Sequence, residues 1–177
     1  PTPPVATAAA APEKARGATV HVPATDIPTV GRFAVVSHGS AGTLAPFRSL
    51  DERPDADPAL GTFCWDELVT QDPAAAASLL TEVFGYTTEA RDMGPLGTYT
   101  VLKRGDRQAG GIMKAMDPRA PAAWIGYVVV EDVDKSLERA KKLGGKQLVA
   151  PIEVPSLGRF AVIADHEGAT IALFTGA

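Results

Sequence analysis

The chain has 177 residues, 45% hydrophobic and 21% charged, a globular balance long enough for one full domain and part of another. Its net charge of −4, with acids and bases interspersed, argues against a nucleic-acid partner, which needs a basic patch to neutralise phosphates. No apolar run approaches the roughly 18 residues of a membrane helix, and the apolar residues 1–12 lack the basic flank and long hydrophobic core of a signal peptide. The cytoplasm is the expected compartment. A lone cysteine, Cys64, excludes an internal disulfide and fits a reducing environment; it reads as a small buried hydrophobe on a strand.

In chain order, residues 5–16 are Ala-rich with Glu13, Lys14 and Arg16 before Gly17, the pattern of a terminal helical turn, with Pro12 opposing an earlier start. Strands are expected at Thr19–Val22, Arg32–Val36 and Thr43–Phe47, with a turn at Asp26–Gly31. Pro46 cannot donate to a ladder, so the third of these belongs at an edge or carries a bulge. The charged, proline-bearing 51–60 stretch has no apolar periodicity and reads as a linker.

From Gly61 the pattern is regular. A strand at Thr62–Thr70 leads to a helix opened by Asp72-Pro73, with Leu79, Leu80, Val83 and Phe84 at helical spacing and Gly85 as terminator. Strands at Tyr86–Arg91, Thr98–Lys103 and Gln108–Met113 complete a β-α-β-β-β unit. The order then recurs: a strand at Ala123–Val130, a helix at Asp132–Leu143 with apolar Val133, Leu137, Ala140 and Leu143, and strands at Lys146–Val149, Arg159–Ala164 and Thr170–Phe174.

Two internal repeats underlie this order. Gly31-Arg32-Phe33-Ala34-Val35 recurs as Gly158-Arg159-Phe160-Ala161-Val162, and Lys14/Lys141, Pro28/Pro155, Ala45/Ala172 and Phe47/Phe174 keep the same spacing of 127 without a gap. Self-similarity at a fixed period marks a repeated structural unit. Residues 1–50 are therefore expected to copy the C-terminal part of the chain. A weaker match at about sixty residues relates Asp72 to Asp132, Gly85 to Gly145 and Gly97 to Gly158.

The paired unit, with Asp132-Val133-Asp134-Lys135-Ser136-Leu137 opening its second helix and Asp165-His166-Glu167-Gly168-Ala169 turning into its last strand, resembles the vicinal oxygen chelate superfamily of glyoxalases, bleomycin-resistance proteins and extradiol dioxygenases. Phe63-Cys64-Trp65-Asp66-Glu67-Leu68 and Ala122-Ala123-Trp124-Ile125-Gly126-Tyr127 look like strings of its tandem-domain, actinobacterial-type members. The resemblance implies an α+β fold of paired βαβββ modules forming a curled mixed sheet around a cleft, with the helices outside. Residues 61–177 are then a complete domain (modules 61–116 and 121–177), and 1–50 the tail of an upstream domain whose first module lies outside this sequence.

In the family's metal-dependent members, a His or Gln on the first strand of each module and a Glu or His on the last hold the metal. The first-strand position, seven residues before the helix-opening Asp, falls here on Trp65 and Ile125. The last-strand position of the second module falls on Ala172, copied at Ala45, and the first module offers only Gly110, Gly111 or Met113. None carries a suitable nitrogen, oxygen or thiolate donor, so no metal cofactor is expected. The three histidines, His21, His38 and His166, read as surface or turn residues.

Strand alternation at Phe63–Val69 turns either Glu67 or, in the other register, Asp66 toward the cleft. In the first register Glu67 is the candidate general base or polar anchor, its carboxyl expected to be raised by desolvation, with an ion pair or hydrogen bond fixing the wall as the structural alternative. Trp65, Tyr99, Trp124, Tyr127 and Phe160, with Met113, are candidate ligand contacts, and equally ordinary core. Arg159, repeated at Arg32, is a candidate anion contact or a structural partner of Glu67 or Asp66. The expected function is metal-free binding of a small organic molecule for sequestration, sensing or resistance. The alternatives are a lyase, isomerase or dioxygenase-like enzyme using Glu67 or an unconventional metal site, and an interaction module completed in trans, as a homodimer or by an upstream half-domain.

Overall fold

The computed structural model describes residues 17–51, 57–94 and 97–176. The helical turn expected before Gly17 and much of the 51–60 stretch lie outside them. Contacts divide the described residues into two compact units, 17–51 with 68–124 and 57–67 with 125–176. The units share strand β5 (Phe63–Thr70) and strand β9 (Ala123–Val129), each of which contributes to both. Among the described residues no helix is long and apolar enough to cross a membrane.

In the first unit, β1 (Thr19–Ile27), β2 (Gly31–His38), β3 (Gly42–Leu44) and β4 (Phe47–Ser49) form an antiparallel sheet in which β2 pairs with the other three. The end of β5 continues into α1 (Pro73–Phe84), β6 (Thr87–Asp92), β7 (Thr98–Arg104) and β8 (Arg107–Lys114), with hydrogen-bonded order β5-β8-β7-β6. Helix α1 starts where expected. Asp72 accepts the Ala75 N–H at 2.9 Å, Pro73 fills the first turn without losing a bond, and Gly85 closes the helix at φ 71°, a left-handed conformation open to glycine.

Leu68, Ala76, Leu79, Leu80, Leu102 and Ile112 are buried together beneath α1, and Ala41 from the N-terminal sheet joins them. Burying a side chain of Leu size contributes about 1.5–3 kcal/mol. Trp124, expected among ligand contacts, packs against this cluster, and its indole N–H donates to the Ala41 carbonyl at 2.9 Å. Its place is in the framework that ties the N-terminal sheet to the unit's core.

In the second unit, β9 leads to α2 (Val133–Lys142), then β10 (Lys146–Val154), β11 (Gly158–Ala164) and β12 (Thr170–Gly176), in the order β10-β11-β12-β9-β5. The β12–β9 pairing is parallel and β10–β11–β12 is antiparallel, so the sheet is mixed. Val133 and Leu137 of α2 pack on Ala161 and Leu173. Leu143, expected on the apolar face, caps the helix instead and is exposed.

The 127-residue repeat holds at the level of hydrogen-bond register. Thr19 faces Ser37, Val22 faces Val35 and Asp26 faces Arg32, and Lys146, Val149 and Glu153 face Ala164, Val162 and Arg159 in the same way, with the same two bulges in each ladder. Thr29 and Ser156 occupy the same turn position, both at φ 64°. Outer strands β1 and β10 run longer than expected because an edge tolerates Pro23 and Pro151. The copies part at Pro46. Where β12 is continuous through Leu173, the N-terminal sheet is interrupted between β3 and β4. The Pro46 carbonyl still accepts from Ala34 N–H at 3.1 Å, but the ring has no N–H to return.

Arg32 and Arg159 keep their shared position without reaching Glu67 or Asp66. Arg32 pairs with Asp26 at 2.7 Å, while Arg159 grips Asp134 of α2 with two nitrogens and Glu153 with a third. Both are cross-strand clamps beside a turn. Trp124→Phe removes the bond to Ala41 and part of the indole's packing on the core, so it is expected to destabilise the protein by more than the ~1 kcal/mol of the hydrogen bond alone, measured by urea unfolding.

Candidate small-molecule site

The face of the second unit's sheet turned away from α2 carries the candidate site. On β11 and β12, Ala161 and Leu173 lie under α2, so alternation turns Phe160, Val162, Ala172 and Phe174 to the other side. Tyr127, Val162 and Ala172 are buried there, with Trp65, Ile125, Val149, Phe160 and Phe174 packed around them. The rings of Tyr127 and Phe160 are 5.7 Å apart and tilted by 47°, a favourable arrangement for two aromatic quadrupoles.

Within this apolar face sits one carboxylate. Leu68 is fully buried under α1, so its neighbour Glu67 points to the opposite side of β5, the side of Trp65. Glu67 is 7% exposed and accepts a hydrogen bond from the Tyr127 hydroxyl at 3.1 Å. The first of the two registers is therefore the one adopted, and Asp66 stays exposed at the surface of the strand. Partial burial nevertheless pushes the Asp66 carboxyl above the ordinary aspartate range. Cys64 is half-buried, and its thiol donates to the Tyr127 carbonyl at 3.4 Å. Desolvation, the larger cause, and the Asp66 charge push the thiol upward against a smaller opposing backbone hydrogen bond.

Of the residues singled out from the sequence, the second unit thus brings together Trp65, Glu67, Tyr127 and Phe160. Arg159 faces the α2 side, among Asp134, Glu153 and the turn at Ser156. Tyr99 and Met113 lie half-buried on the first unit's strands β7 and β8. Val149 and Phe174 were not singled out as ligand contacts. Phe174 was marked by its repeat partner Phe47, whereas Val149 reaches the face through a bulge that no sequence period reveals.

The three positions where a metal-using relative would place ligands in this unit, Trp65, Ile125 and Ala172, meet in one cluster. The residues there do not fit a divalent metal, because Ile125 and Ala172 are hydrocarbon and the Trp65 indole nitrogen is an N–H donor with no lone pair to give. Among the described residues no three His, Cys, Asp or Glu side chains group together, and no buried side-chain nitrogen or oxygen lacks a partner.

Comparison with known proteins agrees with the architecture. The family model "Glyoxalase/Bleomycin resistance protein/Dioxygenase superfamily" matches residues 61–173. CFP32 of Mycobacterium bovis, whose name carries the provisional description glyoxylase, is 31% identical over 161 residues, covering 86% of this chain and 59% of its own length. The anthracycline biosynthesis protein DnrV of Streptomyces peucetius is 32% identical over 128 residues, 64% of this chain and 46% of the relative. The chain thus spans about half to three fifths of these curated relatives. Among solved structures, the Mn(II)-bound glyoxalase of Novosphingobium aromaticivorans superposes with TM-score 0.63 at 14% identity, covering 97% of this chain and 58% of that one. A 2,2',3-trihydroxybiphenyl 1,2-dioxygenase of Sphingomonas wittichii gives 0.62 at 16% identity, covering 97% and 66%. At such identities the likeness is one of fold.

Two outcomes follow from the geometry. Tyr127→Phe removes one donor to a buried carboxylate and is expected to cost about 1–3 kcal/mol in chemical unfolding. Alkylation of Cys64 by iodoacetamide in the folded protein should keep accelerating beyond pH 9.0, the ordinary thiol value, because burial raises the thiol; a rate that levels off below that pH would contradict the raised thiol.

Proposed function

The chain belongs to the Glyoxalase/Bleomycin resistance protein/Dioxygenase superfamily, and on that premise we propose that it binds a small, flat organic molecule without a divalent metal. The observation that carries this reading is the meeting of Trp65, Ile125 and Ala172 in one apolar cluster with Glu67 and Tyr127 beside them. Aromatic and aliphatic side chains favour a planar apolar ligand by area and stacking. Glu67, held by the Tyr127 hydroxyl, supplies the polar anchor. The name of the relative DnrV, an anthracycline biosynthesis protein, supports a polycyclic aromatic ligand class.

A second reading is favoured by one feature, the burial of a carboxylate beside a phenol. A carboxylate placed so can act as general base, taking a proton from a bound substrate while the phenol holds its other lone pairs. In this reading Glu67→Gln abolishes turnover and leaves the fold intact.

The test of the first reading is a fluorescence titration of the EDTA-dialysed protein with an anthracycline. Binding is expected to be the same before and after dialysis and to weaken about tenfold or more in Glu67→Gln, as loss of a hydrogen bond to a charged group implies. Loss of binding on dialysis, or one tightly held transition metal per chain by elemental analysis, would overturn it.

A further inference from the structure

Strands β1–β2 and β10–β11 keep the same register and the same two bulges, so comparing them position by position separates what the ladder needs from what it carries. In the second unit Ile152 pairs with Phe160 and Val149 with Val162. Direct partners in a ladder point to the same side, which puts Ile152 on the face of the candidate site with Val149 and Phe160. In the N-terminal sheet the partner of Phe33, at the place of Ile152, is Thr25. The same spacing of 127 relates Leu148 to His21 and Ala164 to Ser37. His21 and Ser37 meet side chain to side chain at 2.7 Å, so the shared register sets Leu148 beside Ala164, a residue that alternation from Val162 turns to the site face.

One backbone pattern thus carries His, Thr and Ser in one copy and Leu, Ile and Ala in the other. The ladder does not demand the apolar set. Ile152 is 41% exposed and Leu148 55% exposed, an uncovered aliphatic rim that continues, through Val149 and Phe160, the cluster around Tyr127. Aliphatic side chains left in water at the border of an apolar face extend it as a binding surface. An added strand is not the occupant that β10 suits. Pro151 has no N–H to give, two bulges bend the strand, and Lys146 and Glu153 place charges along it, the devices by which a sheet edge resists pairing.

We infer that Leu148 and Ile152 extend the candidate site along β10 and take an aliphatic substituent of the ligand. The ring lies on the cluster around Tyr127, and the alkyl chain runs out over the rim. The inference rests on the small-molecule reading above and deepens it to alkyl-substituted aromatics. Each methylene fully moved from water strengthens binding by about threefold to fourfold, and a rim that covers one side of the chain gives about half of that free energy, or about twofold.

The experiment titrates para-alkylphenols, from phenol to para-pentylphenol, into wild type, Ile152→Thr and Leu148→His/Ile152→Thr by calorimetry. The ring and hydroxyl stay constant, and the readout is the slope of affinity against chain length. Both variants take residues that the N-terminal sheet carries in the same register, at exposed positions, so Tm is expected to stay within about 2 °C. Wild type is expected to gain about twofold for each added carbon, Ile152→Thr less, and the double variant close to nothing. An equal slope in all three, or no slope in wild type, overturns the rim and leaves binding of the ring standing. A wild-type dimer in light scattering that both variants reduce to monomer assigns the rim to a second copy and overturns the inference as well. Failure of wild type to bind any member of the series overturns the small-molecule reading and this inference with it.

Discussion

Successive residues of a β-strand point to opposite faces, and in β5 that constraint separates structure from chemistry within one peptide bond. Leu68 lies at zero exposure beneath α1, and Glu67 beside it is turned to the side of Trp65. A slip of one residue would place a carboxylate under the helix, where desolvation without a partner costs several kcal/mol, and a leucine in the aromatic face. The apolar demand of α1 thus fixes where Glu67 points, and Tyr127 then holds it with a hydrogen bond of 3.1 Å. The position of the site's one buried carboxylate follows from a packing preference on the other side of the sheet.

The β1–β2 ladder is rebuilt at β10–β11 and the β7–β8 pairing recurs at β11–β12, and the copies differ at single side chains. Strands β1–β2 and β10–β11 share register, bulges and a turn residue at φ 64°. Their arginines both clamp the turn, and Arg159 also grips Asp134 of α2. Pro46 breaks a strand that Leu173 carries through. Tyr99 with Gly111 replaces Phe160 with Ala172, moving one heavy atom from a methyl to a hydroxyl without changing the backbone pairing.

The chemistry of the inner face is set as much by what packs there as by its polar atoms. Trp65, Ile125 and Ala172, the positions at which the family resemblance expects metal ligands, lie together with Tyr127, Val162 and Phe160 in one largely apolar cluster. The nearby cation, Arg159, is committed to Asp134 and Glu153 on the α2 side of the sheet. Glu67 and Tyr127 are the hydrogen-bonded polar pair beside this face, and in the proposed reading they anchor a ligand that stacks on it.

Much of this was legible in the residues themselves. The helix start at Asp72-Pro73, its end at Gly85, the second helix after Asp132 and the 127-residue repeat all rest on local rules of capping, turn conformation and periodicity, which a single chain segment obeys wherever it is placed. Alternation narrowed the inward carboxylate to Glu67 or Asp66 and went no further, because the period is the same in either register. The sequence by itself determined the order of elements, the repeated units and the side chains without a metal-binding lone pair at Trp65, Ile125 and Ala172. Tertiary packing decided the rest: that Leu68 is the residue buried under α1, that Trp124 ties the N-terminal sheet to the core, and that Arg159 grips a helix 25 positions away in sequence. These depend on contacts between segments distant in the chain, and local propensity carries no information about which distant partner arrives.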